Sequence, residues 1–164
     1  MTYPAFDLSP VPVPGPDAVA PEPFRGLYGM PMFVILPTTD LAASVDFWIR
    51  GLGFFDLFSV PQQLTHLRRW AFQDVLLVPG SPAAEPSGAT VSFSCVLDQI
   101  DAIAEACESL VPGCTTGPQV KPWNSVELEI ITPENTRVVM TAARPLDPDS
   151  PEAAHLRSIG IEAP

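Results

Sequence analysis

One order of elements runs through this chain twice, and it narrows the folds open to it. "MFVILP", residues 32–37, is a continuous apolar run that predicts a strand buried on both faces. "TTDLAASVDFWIRGLGF" then predicts a helix: Thr39 or Asp40 caps it, Leu41, Val45, Trp48 and Ile49 form its apolar stripe, and Gly51 or Gly53 ends it. Three strands follow, near "FFDLFSV", "LTHLRRWAF" and "VLLVP", and the loop "GSPAAEPSGA" closes the half. The second half repeats the course. "TVSFSCVL" is a strand and "DQIDAIAEACESLV" a helix capped by Asp98; "PGCTTGPQV" holds a short strand, and "NSVELEII" and "NTRVVMTA" are the last two. This is an internal repeat of about 55 residues in element order rather than identity. Neither four-stranded half closes on itself. The expected fold class is therefore α+β, with paired βαβββ modules forming a curved, cup-like mixed sheet.

The flanks are a different material. Seven of the 21 prolines fall between Pro4 and Pro23, a run that lacks the donors for a helix or an inner strand. The expected organisation is a proline-rich arm over 1–29, disordered or polyproline-like and lying on the surface. A domain follows over 30–143, with modules at about 30–79 and 89–143, and then a tail over 144–164 with a short helix opened by Ser150 and Pro151.

Charge excludes one large class of partner. The net charge is −11 and the chain has a single lysine, so no basic patch for phosphate is available and nucleic acid is not an expected partner. An acidic surface suits a cationic ligand. No apolar run reaches the length needed to span a bilayer, and no basic-then-apolar leader opens the chain, which gives the expectations of no membrane partner and a cytoplasmic location. Cys95, Cys107 and Cys114 show neither disulfide nor zinc spacing and read as buried thiols. His66 and His155 are the only histidines.

"LPTTDLAASVDFWIRGLGF" and "KPWNSVELEIITPENTRVV" together resemble the vicinal oxygen chelate superfamily of glyoxalases, extradiol dioxygenases and fosfomycin- and bleomycin-resistance proteins, most nearly the bleomycin-resistance type. The resemblance covers residues 31–143. Asn124 departs from it, standing where the family usually has glycine. The resemblance implies paired βαβββ modules, a homodimer with crevices between subunits, and in the family's enzymes four metal ligands. Their positions fall on Phe33, near Ser92, near Leu77 and on Val139. Such metals take histidine and carboxylate ligands, so no metal and no cofactor is expected.

The remaining chemistry belongs to a binding cup. Cys95 has no local base to activate it. Ser92 and Ser94 share the face of their strand opposite Phe93 and Cys95. Glu127 and Glu129 share one face of theirs, either as a solvated surface or turned to a cationic ligand. Phe33, Trp70, Phe72 and Trp123 lie on or beside strands around the cup; by alternation Trp70 and Phe72 share a side with His66 and Arg68. Aromatic walls with a few polar groups suit a flat, aromatic or cationic organic molecule, with core filling the rival role for each ring. Ten candidates result: Phe33, His66, Arg68, Trp70, Phe72, Ser92, Ser94, Trp123, Glu127 and Glu129. The expected function is metal-independent binding of a small organic ligand, as in antibiotic sequestration. The alternative is a metal-independent isomerase or cyclase pairing His66 with Glu127 or Glu129.

Overall fold

A computed structural model describes residues 17–27, 32–86 and 88–161. Among these residues eight strands make two four-stranded mixed sheets. The first contains β1 (Phe33–Thr38), β2 (Phe55–Val60), β3 (Leu64–Arg69) and β4 (Gln73–Pro79) in the order β1-β4-β3-β2. The second contains β5 (Thr90–Cys95), β6 (Gln119–Lys121), β7 (Ser125–Ile131) and β8 (Arg137–Ala143) in the order β5-β8-β7-β6. Each sheet has one parallel pair, β1 with β4 and β5 with β8, and is otherwise antiparallel. The two halves thus share one topology, as their element order predicts.

A helix follows the first strand of each half. Asp40 caps α1 (Leu41–Asp46) by accepting from the Ala43 N–H at 3.0 Å. The helix then widens into a π-type turn over Phe47–Gly51, which places Phe47 and Trp48 in the core. In the second half the cap differs from expectation. Asp98 lies inside a 3-10 turn, Leu97–Gln99, that precedes α2 (Ile100–Leu110), and the Gln99 side chain accepts from the Val96 N–H. At Gly51 a β-carbon would stand 3.1 Å from the Cys107 sulfur, so glycine lets the turn press against α2.

One core serves both halves. Leu36, Leu67, Val75 and Leu77 of the first sheet join Phe93, Leu128, Ile130, Val138 and Met140 of the second around Trp48, Phe54 and Cys107. Trp48, Phe54 and Phe93 meet edge to face, with centroids 5.0 to 6.0 Å apart. Because side chains alternate along a strand, the residues between these positions form an open face on each sheet, turned away from the helices.

The tail helix α3 (Pro151–Ser158) forms where Ser150 and Pro151 predict it, with the Ser150 hydroxyl accepting from the Ala153 N–H. Residues 17–27 carry neither helix nor strand, and their Phe24–Gly26 stretch lies across the first sheet. The rest of the proline-rich arm falls outside the described residues. Asn124 and Asn135 sit in hairpin turns with φ of 64° and 55°. Asparagine tolerates this left-handed conformation better than other side chains, so Asn124 does there what a glycine would do.

Candidate functional site

The open face of the first sheet is read from its register. One transverse row runs Phe33, Asp74, Arg68, Phe55; the next runs Ile35, Leu76, His66, Phe58. Asp74 has no exposed side-chain surface and gathers the polar groups of both rows. Its Oδ1 accepts from Arg68 Nε at 2.6 Å, its Oδ2 from Arg68 Nη2 at 2.7 Å, and His66 Nε2 stands 3.2 Å from Oδ2. Two coplanar bonds to a guanidinium fix both planes, so Arg68 is held in one orientation. Phe33 and Phe58 meet the imidazole edge-on, with centroids 5.8 and 5.2 Å away. The residue at the centre of this cluster, Asp74, is not among the ten candidates. Its signal was the same alternation that relates His66 to Arg68, but the strand was expected to start at Val75.

The chain's own arm covers the Arg68 end. Arg68 Nη1 donates to the Phe24 carbonyl at 3.0 Å and to the Gly26 carbonyl at 2.5 Å. The Phe24 ring lies 5.7 Å from the guanidinium carbon, and the Arg25 guanidinium lies 4.6 Å from the Phe55 ring.

Trp70 and Phe72 are not strand residues, contrary to the expectation that they continue the His66–Arg68 face. Pairing ends at Arg69 opposite Gln73, and residues 70–72 form the turn, with φ of 53° at Trp70 and 59° at Phe72. The turn breaks the alternation. Trp70 is buried with the Arg69 guanidinium 5.0 Å from its ring, whereas Phe72 is 66% exposed.

The second sheet's open face brings the other five candidates together. Its rows run Ser92, Val139, Glu129 and Ser94, Thr141, Glu127, Gln119. Glu129 is ion-paired with Arg137. Trp123, in the turn before β7 and 54% exposed, donates its indole N–H to Glu127 Oε1 at 2.7 Å, and the Ser125 hydroxyl donates to the same oxygen at 3.1 Å. Glu127 Oε2 has no hydrogen-bond partner among the described residues. No hydrogen bond joins His66 to Glu127 or Glu129 among the described residues; the histidine is bound to Asp74 instead. The acid–base pair expected for an isomerase or cyclase is therefore not formed.

The positions that would carry a divalent metal present the wrong chemistry. Phe33, Ser92 and Val139 lie on the open faces, while Leu77, the fourth expected position, points into the core with no exposed surface. Its open-face neighbour is Leu76. Three hydrocarbons and one neutral hydroxyl do not fit a divalent cation, which takes imidazole, thiolate or carboxylate.

Cys95 is a core residue. Burial pushes its thiol and that of Cys107 up from 9.0 to about 12. Neither is a nucleophile at neutral pH, because the thiolate is the reactive form. Unfolded thiols ionise above pH 9 while the folded ones keep their protons, so the native state is favoured below pH 9 and loses that advantage as pH rises towards 12. Stability is expected to fall by about 1.4 kcal/mol per pH unit for each thiol over that window, as urea melts between pH 8 and 11 will read. Alkylation by iodoacetamide at pH 8 should label Cys95 and Cys107 in urea and leave them unlabelled in the native protein.

No family model matches the chain, and no curated protein matches it. Solved structures do. The fosfomycin resistance protein FosX from Mesorhizobium loti is 16% identical with a TM-score of 0.55, covering 73% of this chain and 93% of that one. Lactoylglutathione lyase from Agrobacterium tumefaciens is 19% identical with a TM-score of 0.52, covering 70% and 94%. The genomically encoded FosX of Listeria monocytogenes, a mutant solved with Mn(II), is 12% identical with a TM-score of 0.57, covering 71% and 94%. Among the described residues no helix is long and apolar enough to cross a membrane. With two βαβββ halves of matching topology, this chain has the fold of the vicinal oxygen chelate superfamily.

Proposed function

We propose that the chain binds a small cationic, aromatic organic molecule on the open face of its second sheet, without a metal, in the manner of a sequestering resistance protein. The observation that carries this reading is the Trp123–Glu127 pair: a half-exposed indole whose N–H is tied to a carboxylate whose second oxygen has no hydrogen-bond partner among the described residues. An indole face attracts a cation, and a carboxylate adds a charge-assisted hydrogen bond. Ser92, Ser94 and Thr141 line the same face with hydroxyls that orient polar groups. Sequestration needs affinity alone, so it is compatible with Phe33 and Val139 at the family's metal positions. A homodimer belongs to the same reading, and sedimentation equilibrium measures it.

Calorimetric titration with bleomycin and other basic aromatic antibiotics is expected to show binding. Trp123→Ala should weaken it about tenfold, the worth of one desolvated cation–π contact, and Glu127→Gln by a similar factor. Both side chains lie on the surface of a hairpin, so neither change should move the melting temperature by more than a degree or two. The absence of heat across the panel, with no protection of cells expressing the protein, would sink the reading.

A further inference from the structure

The arm's contact with Arg68 has the form of a bound ligand. Asp74 takes Nε and Nη2, so the guanidinium meets the arm through Nη1, on which two oxygens converge, those of Phe24 and Gly26. A phenyl ring accompanies them, 5.7 Å from the guanidinium carbon. Two oxygens and an aromatic ring facing one guanidinium are what an aryl carboxylate would offer. The arm offers them only as neutral carbonyls, and a guanidinium bonds an ionised oxygen roughly twice as strongly. Asp74 is already committed to Arg68 and His66, so the group that meets an anion at this edge of the sheet is Arg68 Nη1; Arg25, on the arm, leaves with it.

We propose that the Arg68–Phe55 end of the first sheet's open face is a subsite for an aromatic carboxylate, and that residues 24–26 fill it as a displaceable stand-in. The arm is suited to leaving. It carries no helix or strand, Phe24 is 45% exposed where it lies, and the stretch meets the turn after β3 through the Phe24 N–H donating to the Trp70 carbonyl at 2.9 Å. The subsite thus has a built-in competitor, and any ligand must outbid the arm. This site differs from the proposed cationic one in sheet, in charge and in the residues it uses.

The test uses the full chain, with benzoate as probe, inorganic phosphate as an anion without a ring and benzylamine as a ring without an anion. Benzoate is expected to bind and the other two at least tenfold more weakly. At saturation the Phe24 amide should exchange its hydrogen at least tenfold faster, because its bond to Trp70 is broken. Phe24→Gly removes the competing ring from an exposed position and should tighten benzoate binding at least tenfold. Trp123→Ala should leave benzoate binding unchanged while weakening the cationic ligand, which separates failure of this subsite from failure of the other. Failure of benzoate to bind Phe24→Gly overturns the proposal. So does binding without faster exchange at Phe24, or equal binding of phosphate and benzoate.

Discussion

Asp74→Ala is expected to lower the unfolding free energy by about 3–5 kcal/mol in denaturant melts, the usual cost of removing one partner from a buried ion pair. The carboxylate is fully buried and holds both Arg68 and His66. Without it the Arg68 guanidinium, itself with no exposed surface, loses the carboxylate that accepts from its Nε and Nη2. Asp74→Asn should recover less than half of the loss, because the amide turns a donor towards donors. Replacing all three residues by apolar ones of similar size should cost much less than Asp74→Ala alone, since no buried charge is then left unpaired. A loss below 1 kcal/mol for Asp74→Ala would show that water reaches Arg68 and that the cluster is not a buried network.

How far this was readable in the sequence depends on the residue. Alternation relates His66 to Arg68, Ser92 to Ser94 and Glu127 to Glu129, and each pair shares an open face, because a strand with one buried face sends every second side chain to the other; Phe33 comes from the family resemblance. The same rule failed at Trp70 and Phe72, where a tight turn with positive φ ends the strand; neither residue is a usual one for that conformation, so composition carried no warning. The family resemblance puts a metal position near Leu77, which points into the core; its neighbour Leu76 lies on the open face, since one residue along a strand reverses the face. The division of the candidates between two sheets follows the two halves that the repeated element order marks out. The arm's seat on Arg68 was invisible for another reason: two main-chain carbonyls make the contact, and any residue supplies a carbonyl. Trp48 was readable as core, but its indole N–H donating to the buried Glu134 at 3.0 Å joins residues 86 positions apart.

Arg69 ties the two halves together, and Arg69→Leu is the second large expected effect. The side chain leaves the first sheet and crosses to the second half: Nε donates to the Ser94 carbonyl at 3.0 Å and Nη2 to Gln99 Oε1 at 2.6 Å. In its own half, Nη1 donates to the Leu52 carbonyl at 2.8 Å. Gly53 is fitted to it, because a β-carbon there would stand 2.5 Å from Nη1 and the residue's φ is +73°. Arg69 is 3% exposed, and desolvation lowers its pKa from the ordinary arginine value. Its partners are carbonyl dipoles rather than a carboxylate, so their number and aim must repay that desolvation. Leucine would fill part of the volume and take the guanidinium donors from the Ser94 and Leu52 carbonyls and, more weakly, from that of Gly53, at about 1–3 kcal/mol for each left buried and unsatisfied, while Gln99 Oε1 keeps the Val96 N–H. Part of this is returned by no longer burying a cation, and a net loss of about 3 kcal/mol is expected. Lysine should not rescue it, since one ammonium cannot reach from Leu52 to Gln99 and is harder to dehydrate. The loss should also show in cooperativity: with the clasp gone, fluorescence of Trp48 and exchange of β7 and β8 amides should report separate midpoints in urea, where the wild type should give one. A single shared midpoint in Arg69→Leu would mean that the common core around Trp48 couples the halves without the arginine.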